Sequence, residues 1–497
     1  MPFHAHNAAT GETLPGEFHD ASPAAIDAAC RAAADVAPAF AVLAPERRAA
    51  LLEAIADALE KAGDALLDRA GLETGLPRAR LEGERARTQG QLRQFAALVR
   101  EGSWVDARID TALPDRKPAP RPDLRRMLRG IGPVAVFGAS NFPLAFSVAG
   151  GDSASALAAG NPVIVKAHPA HPGTSDITAE AVRTAVAASG LPAGIFGMVH
   201  GASPEVSLAL VRHPAVAAVG FTGSLRAGRA LYDAAAARPE PIPVFAEMGS
   251  INPVFVLPGA LAARGVAIAE GLVGSFTLGV GQFCTKPGVV FGVASEAWTT
   301  FCAAVAERAR AVAKGAMLHE GIARAFAEGC ARLEGVEWLA DGPARVARVD
   351  AATYRARPEL GHEIFGPYTL LVTVESAAGL AALAEALEGQ LTATVHGSED
   401  DFSGTAAAEL LAVLPRKVGR IVCNGFPTGV EVAPAMTHGG PYPACTDARF
   451  TAVGTGAILR WARPVSFQGF PDALLPDALK QANPLGILRL VDGRLVR

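Results

Sequence analysis

The amino-acid sequence predicts an α/β fold built on doubly wound parallel sheets, and three observations carry that expectation. Short runs that are apolar at successive positions recur through the middle of the chain, the pattern of strands buried on both faces. Alanine-rich segments of helical periodicity separate them, as crossover connections would. The length, 497 residues, exceeds one core and at ~100–200 residues per domain implies two to four domains.

Taken in order, the chain starts with the polar segment Met1 to Asn7, which has no cationic stretch leading into an apolar one. From Pro23 to about Arg100, apolar and charged residues at three- and four-residue spacing predict amphipathic helices. The proline-bearing stretch from Asp106 to Arg126 cannot continue them and reads as a linker or an edge strand. Strands are then predicted at Pro133–Phe137, Pro162–Lys166, Ile195–Val199, Val216–Phe221 and Ile242–Phe245. Near the end, Ile458–Phe467 and Leu488–Arg497 read as strand or edge segments, and such edges usually pair.

Composition narrows the function. Charged residues make up 19% and net charge is −4, so no basic field suits nucleic acid or an anionic membrane. The partners expected are small molecules and copies of the same chain. With no run of ~18 uninterrupted apolar residues, the expected location is cytoplasmic. The six cysteines are scattered and the eleven histidines dispersed, which predicts reduced thiols and no metal-ligand cluster.

Ligands of doubly wound sheets bind beyond the carboxyl ends of the strands. Those positions hold Gly138-Ala139-Ser140-Asn141 after Phe137, Lys166-Ala167-His168-Pro169, Thr222-Gly223-Ser224 after Phe221, and Glu247-Met248-Gly249. Ser224 before an alanine-rich helix is either a plain N-cap or part of a phosphate site at a positive helix terminus. Lys166 is either a strand-end lysine whose stem is buried or a cation reaching a ribose or a 2′-phosphate. Downstream, Cys284 in Gly281-Gln282-Phe283-Cys284-Thr285-Lys286-Pro287 is a candidate thiol nucleophile, with Glu247 as its candidate base. Among apolar neighbours that carboxyl is expected to titrate above its ordinary range.

Asn141 in Ser-Asn-Phe-Pro, Lys166, the turn at Ser224, Glu247 in Glu-Met-Gly-Ser, Cys284 in Gly-Gln-Phe-Cys-Thr and Glu363 in Glu-Ile-Phe-Gly-Pro follow one another in an order that resembles the aldehyde dehydrogenase superfamily. The local variants at Lys166, Gly281 and Asn424 are similar to the branch of 2-oxoglutarate semialdehyde (2,5-dioxopentanoate) dehydrogenases, which also resembles NADP-dependent fatty aldehyde dehydrogenases. The resemblance implies that Cys284 forms a thiohemiacetal and then a thioester. It implies an oxyanion site from the Asn141 amide and the Cys284 backbone N–H, and Glu247 as the base for hydrolysis. Glu363 would bind the nicotinamide ribose, Phe365 would limit the ring, and Phe137, Lys166, His168, Gly223, Ser224 and Gly249 would complete the cofactor site.

Family members restricted to NAD often carry an acid where this chain has Pro169. NADP is therefore the expected cofactor, with NAD as the second choice. Thr174 and Ser175 either contact its phosphate or ribose or cap a helix. The implied substrate is 2-oxoglutarate semialdehyde, from the breakdown of sugar acids or hydroxyproline. Phe142, Phe283 and Phe426 could instead line a tunnel for fatty aldehydes. The resemblance also leaves room for a relative that acylates coenzyme A and for a non-catalytic structural homologue. It further implies a cofactor-binding domain from residues 1–106 and 127–247, a catalytic domain from 248–433, and bridging segments 107–126 and 434–497, the last partly returning to the cofactor domain. A homodimer or homotetramer is expected.

Overall fold

The protein is described by a computed structural model covering residues 2–497. The five apolar runs form one sheet: β1 (Val134–Phe137), β2 (Val163–Lys166), β3 (Phe196–Val199), β4 (Ala218–Thr222) and β5 (Val244–Glu247). Their order is β3-β2-β1-β4-β5, every pairing parallel. Successive residues serve opposite faces. Val134, Val136, Val163 and Val165 pack with the helices Pro45–Lys61, Gly63–Thr74 and α1 (Arg78–Glu101), while Ala135, Ile164 and Val219 pack with Ile26 and Cys30 of the helix Pro23–Ala41. Burial on both faces is why the strands lack the alternation of half-exposed ones. The chain moves outward from β1 through β2 to β3 and then crosses to the other side for β4 and β5. The crevice at that reversal, beyond the carboxyl ends of β1 and β4, is where such a sheet binds ligands.

The second sheet contains β6 (Val254–Val256), β7 (Val289–Val293), β8 (Glu337–Asp341), β9 (Arg345–Asp350), β10 (Tyr368–Val374), β11 (Gln390–His396) and β12 (Val418–Cys423). Its order is β8-β9-β10-β7-β6-β11-β12, and only the edge pair β8 and β9 is antiparallel. Helix α2 (Leu225–Ala236) follows β4, and α3 (Pro258–Thr277) follows β6. Although α3 is apolar enough to cross a bilayer by composition, Ile268, Leu272 and Phe276 pack with Val254 and Val290 of the sheet.

A third sheet joins distant segments in the order Ala462–Gln468, Leu124–Gly130, Arg108–Asp110, Arg489–Val491, Arg494–Val496. The proline-bearing stretch thus supplies Arg108–Asp110 and the start of Leu124–Gly130, both interior to the sheet and not at its edge as expected, and the loop between them is closed by a bridge from Leu113 to Arg121. The run expected as a strand from Ile458 begins instead as a 3₁₀ turn over Thr455–Trp461. The Trp461 indole, fully buried, donates to Ser155 Oγ at 2.7 Å and meets the Phe245 ring edge-on, an anchor that outweighs the β propensity around it. The polar N-terminus forms an antiparallel pair, Pro2–His6 with Thr13–His19.

Candidate active site

Glu247 ends β5, and Cys284 lies in the loop between α3 and β7. His438, from the loop Met436–Gly440, joins them. Its Nε2 lies 3.6 Å from Cys284 Sγ and 3.0 Å from Glu247 Oε1. His438 and Glu247 are buried, whereas Cys284 remains partly open at the floor of a cavity of about 270 Å³. The expectation of no ligand-type cluster is corrected here: donor atoms of Glu247, Cys284 and His438 lie within 4.8 Å of one another. Residues far apart in the chain, Glu247, Cys284 and His438, converge once it folds.

The cysteine loop is tightly constrained. Gly279, Val280 and Gly281 all adopt left-handed φ values, 57°, 59° and 67°, a strained state for a β-branched valine. Asn252 Nδ2 donates to the carbonyls of Cys284 at 2.8 Å and Lys286 at 3.0 Å. Asn141 Nδ2 donates to Gln282 O at 3.1 Å, and Gln282 Oε1 accepts from Leu318 N at 2.9 Å. A Cβ added to Gly281 would lie 2.3 Å from the Gly366 carbonyl carbon. Gly281→Ala is therefore expected to push apart the loops carrying Cys284 and Glu363. It should cost at least ~1–3 kcal/mol from the φ angle alone and lower both activity and melting temperature in thermal unfolding.

Burial, and then the neighbouring Glu247 charge, raise the Cys284 thiol well above its ordinary range, so the resting group is the neutral thiol. For Glu247, burial pushes upward, but the His438 imidazole and hydrogen bonds from His438 and Cys284 more than offset it. The net position is below the usual carboxylate range. This corrects the expected upward shift: apolar neighbours were legible in sequence, the imidazole was not.

At the sheet crevice, Lys166 ends β2 beside Phe137 of β1. Its ammonium has no acceptor among the described residues, and burial pulls it down to about 8. His168 stacks on His171 at 5.3 Å, and burial holds both below the ordinary imidazole range. His168 is thus neutral near pH 7 and Lys166 supplies the positive charge there. Thr174 and Ser175 are not free for a ligand. Glu73 accepts from Thr174 N at 2.8 Å and Thr174 Oγ1 at 2.6 Å, and Ser175 Oγ donates to His171 O at 3.0 Å. Ser224 caps α2 by accepting from Ala227 N at 3.3 Å, and it and Gly223 remain exposed.

Glu363 faces Gly249, where an added Cβ would lie 2.9 Å from its Oε2. Burial raises its carboxyl to about 7. Lys286 fixes that loop, donating to Ile364 O at 3.1 Å and Tyr368 O at 3.0 Å, with Phe365 next in line. Sequence reasoning missed Lys286, Arg87 and His438. For His438 the available signal was a histidine before two glycines, Gly439 and Gly440.

Two doubly wound units with a thiol, an imidazole and a carboxylate converging beneath a nucleotide-type crevice define a cysteine-dependent enzyme of the dehydrogenase kind. The aldehyde dehydrogenase family model matches residues 2–329, and the chain belongs to that family. It is 52% identical over 489 residues to an alpha-ketoglutaric semialdehyde dehydrogenase 2 of Azospirillum brasilense, covering 96% of this chain and 93% of the relative. It is 47% identical over 493 residues to an alpha-ketoglutaric semialdehyde dehydrogenase of Acinetobacter baylyi, covering 97% and 93%. Similar solved folds include an NADP-dependent glyceraldehyde-3-phosphate dehydrogenase of Bacillus halodurans complexed with NADP, at TM-score 0.78, 21% identity and coverage of 94% and 95%. Another is a putative methylmalonate-semialdehyde dehydrogenase of Sinorhizobium meliloti complexed with NAD, at TM-score 0.79, 21% identity and 95% coverage of each chain.

Proposed function

We propose that the protein oxidises 2-oxoglutarate semialdehyde to 2-oxoglutarate with a nicotinamide cofactor, NADP in preference to NAD. The observation that carries the chemistry is the convergence of Cys284 Sγ, His438 Nε2 and a Glu247 carboxylate oxygen within 4.8 Å of one another beside the cavity. The relatives at 52% and 47% identity support the substrate. Glu247, which accepts a hydrogen bond from His438 Nε2–H, takes the Cys284 thiol proton, and the thiolate adds to the aldehyde carbon. The resulting alkoxide accepts hydrogen bonds from the Asn141 amide and the Cys284 backbone N–H. The free ammonium of Lys166 and the close approach of Glu363 to Gly249 fit a dinucleotide, which when bound supplies the hydride acceptor. Lys166 would meet its ribose or 2′-phosphate beside Phe137 and His168, Gly223 and Ser224 its pyrophosphate, and Glu363 the nicotinamide ribose next to Phe365. Glu247, having passed the thiol proton on to solvent, then takes a proton from the water that attacks the thioester, and the Cys284 thiolate leaves.

An acylating enzyme needs no such water-activating carboxylate. The cavity, at about 270 Å³, lies below the ~300–1,000 Å³ usual for larger ligands and suits a short aldehyde better than a fatty one. We assign the β1–β5 sheet and its helices to cofactor binding and the β6–β12 sheet to catalysis. The unpaired outer side of Ala462–Gln468 is assigned to dimer or tetramer formation.

Formation of reduced nicotinamide tests this reading. Expected are a higher kcat/KM for 2-oxoglutarate semialdehyde than for pentanal, a lower KM for NADP than for NAD, and no stimulation by coenzyme A. Equal or better use of pentanal would overturn the substrate assignment, and a requirement for coenzyme A the hydrolytic one.

A further inference from the structure

We propose that Arg87, on α1, is the group that binds the substrate's carboxylate and so selects aldehydes carrying an anion at the far end. This rests on the reaction proposed above and names the residue that recognises its substrate. Arg80, Glu84 and Arg87 occur at helical spacing on α1, and all line the cavity whose floor is Cys284 and His438. Phe142, Phe146 and Phe283 supply much of the remaining wall.

The three charges on α1 are not equivalent. Glu84 accepts from Leu144 N at 2.9 Å and Ala145 N at 3.0 Å, and its other oxygen lies 3.2 Å from Arg80 Nη2. The Arg80 guanidinium also lies over the Phe142 and Phe283 rings, at 4.4 and 5.1 Å. Arg80 is thus part of the wall. Arg87 forms no ion pair among the described residues. Its Nη1 donates to Val430 O at 2.8 Å, and its Nε is buried without an acceptor.

Burial at Glu84 raises its carboxyl, and any proton it takes adds to the positive charge. The cavity is therefore net positive in either state of Glu84. Although the guanidinium also lies over the Phe146 ring at 5.8 Å, a half-buried cation with no ion pair and an unsatisfied Nε carries a desolvation cost that an entering anion relieves. The Nε–Nη2 edge of an arginine matches a carboxylate as a two-point fork. Arg420 strengthens the arrangement by holding the wall from the other side, donating to Gly429 O at 2.9 Å and to Pro427 O. With one end of a short semialdehyde on Arg87 and the other at Cys284, the carbonyl carbon is held for attack.

The test compares kcat/KM for 2-oxoglutarate semialdehyde and for pentanal in the wild type, Arg87→Met and Arg87→Lys. The ratio of the two is expected to fall on the order of 10²-fold in Arg87→Met, chiefly through KM for the semialdehyde, with partial recovery in Arg87→Lys. In a Cys284→Ala background, glutarate binding measured by calorimetry should weaken in parallel. Arg87→Gln serves if Arg87→Met fails to fold. A wild-type preference for the semialdehyde that persists in the Arg87 variants, with glutarate binding unchanged, overturns the anchor and leaves the proposed function standing. A wild type with no such preference overturns the substrate assignment itself.

Discussion

Replacing Cys284 by alanine is expected to remove aldehyde oxidation, lowering kcat by at least ~10⁴-fold, because a residue acting as a unit with its base cannot be lost in part. The five other cysteines offer no substitute. Cys30, Cys302, Cys330 and Cys445 are buried, and burial raises each thiol, while Cys423 is exposed on β12 and does not line the cavity. The variant should fold normally, since the loop is held through backbone groups: Asn252 bonds the Cys284 carbonyl, not its sulfur. Reduced-nicotinamide formation measures the activity, and cofactor binding by fluorescence verifies that the crevice is intact. Undiminished oxidation in Cys284→Ala would remove the proposed mechanism.

The parts legible in sequence are those whose signal is local. Strands buried on both faces leave unbroken apolar runs, so β1 to β5 could be read to within a residue or two, and doubly wound topology then pointed to Lys166, Ser224 and Glu247 at their carboxyl ends. Cys284 stood out as a lone cysteine after Gly281-Gln282, downstream of Glu247-Met248-Gly249-Ser250. His438 did not, because its meaning depends on a loop that returns from 154 residues away to place one nitrogen beside a sulfur. Arg87 was hidden for a different reason: on an amphipathic helix rich in charge it reads as one more solvated residue. Thr174 and Ser175 looked available because the buried Glu73 that engages Thr174 comes from a helix far earlier in the chain. Sequence spacing carries strands and motifs well, but not which polar groups burial has already satisfied.

Glu247→Gln is expected to separate the two halves of the reaction. The amide keeps a hydrogen bond with His438 but takes no proton, so water activation fails on every turnover, while the thiol still attacks, more slowly, after losing its proton to hydroxide. Mixing enzyme with substrate and cofactor should give a burst of reduced nicotinamide of about one equivalent per site, then a steady rate lowered ~10²–10⁴-fold, with the acylated protein visible by intact mass. His438→Gln should instead slow the burst itself. Without the imidazole that holds it down, burial raises the Glu247 carboxyl, so at neutral pH less of it is free to take the thiol proton and its ionised fraction grows with pH. Activity of His438→Gln is accordingly expected to rise steadily toward alkaline pH where the parent levels off. A burst in His438→Gln equal to the parent's at neutral pH would show that the imidazole takes no part in forming the thiolate. An absent burst in Glu247→Gln would show that the first step cannot proceed without the carboxylate.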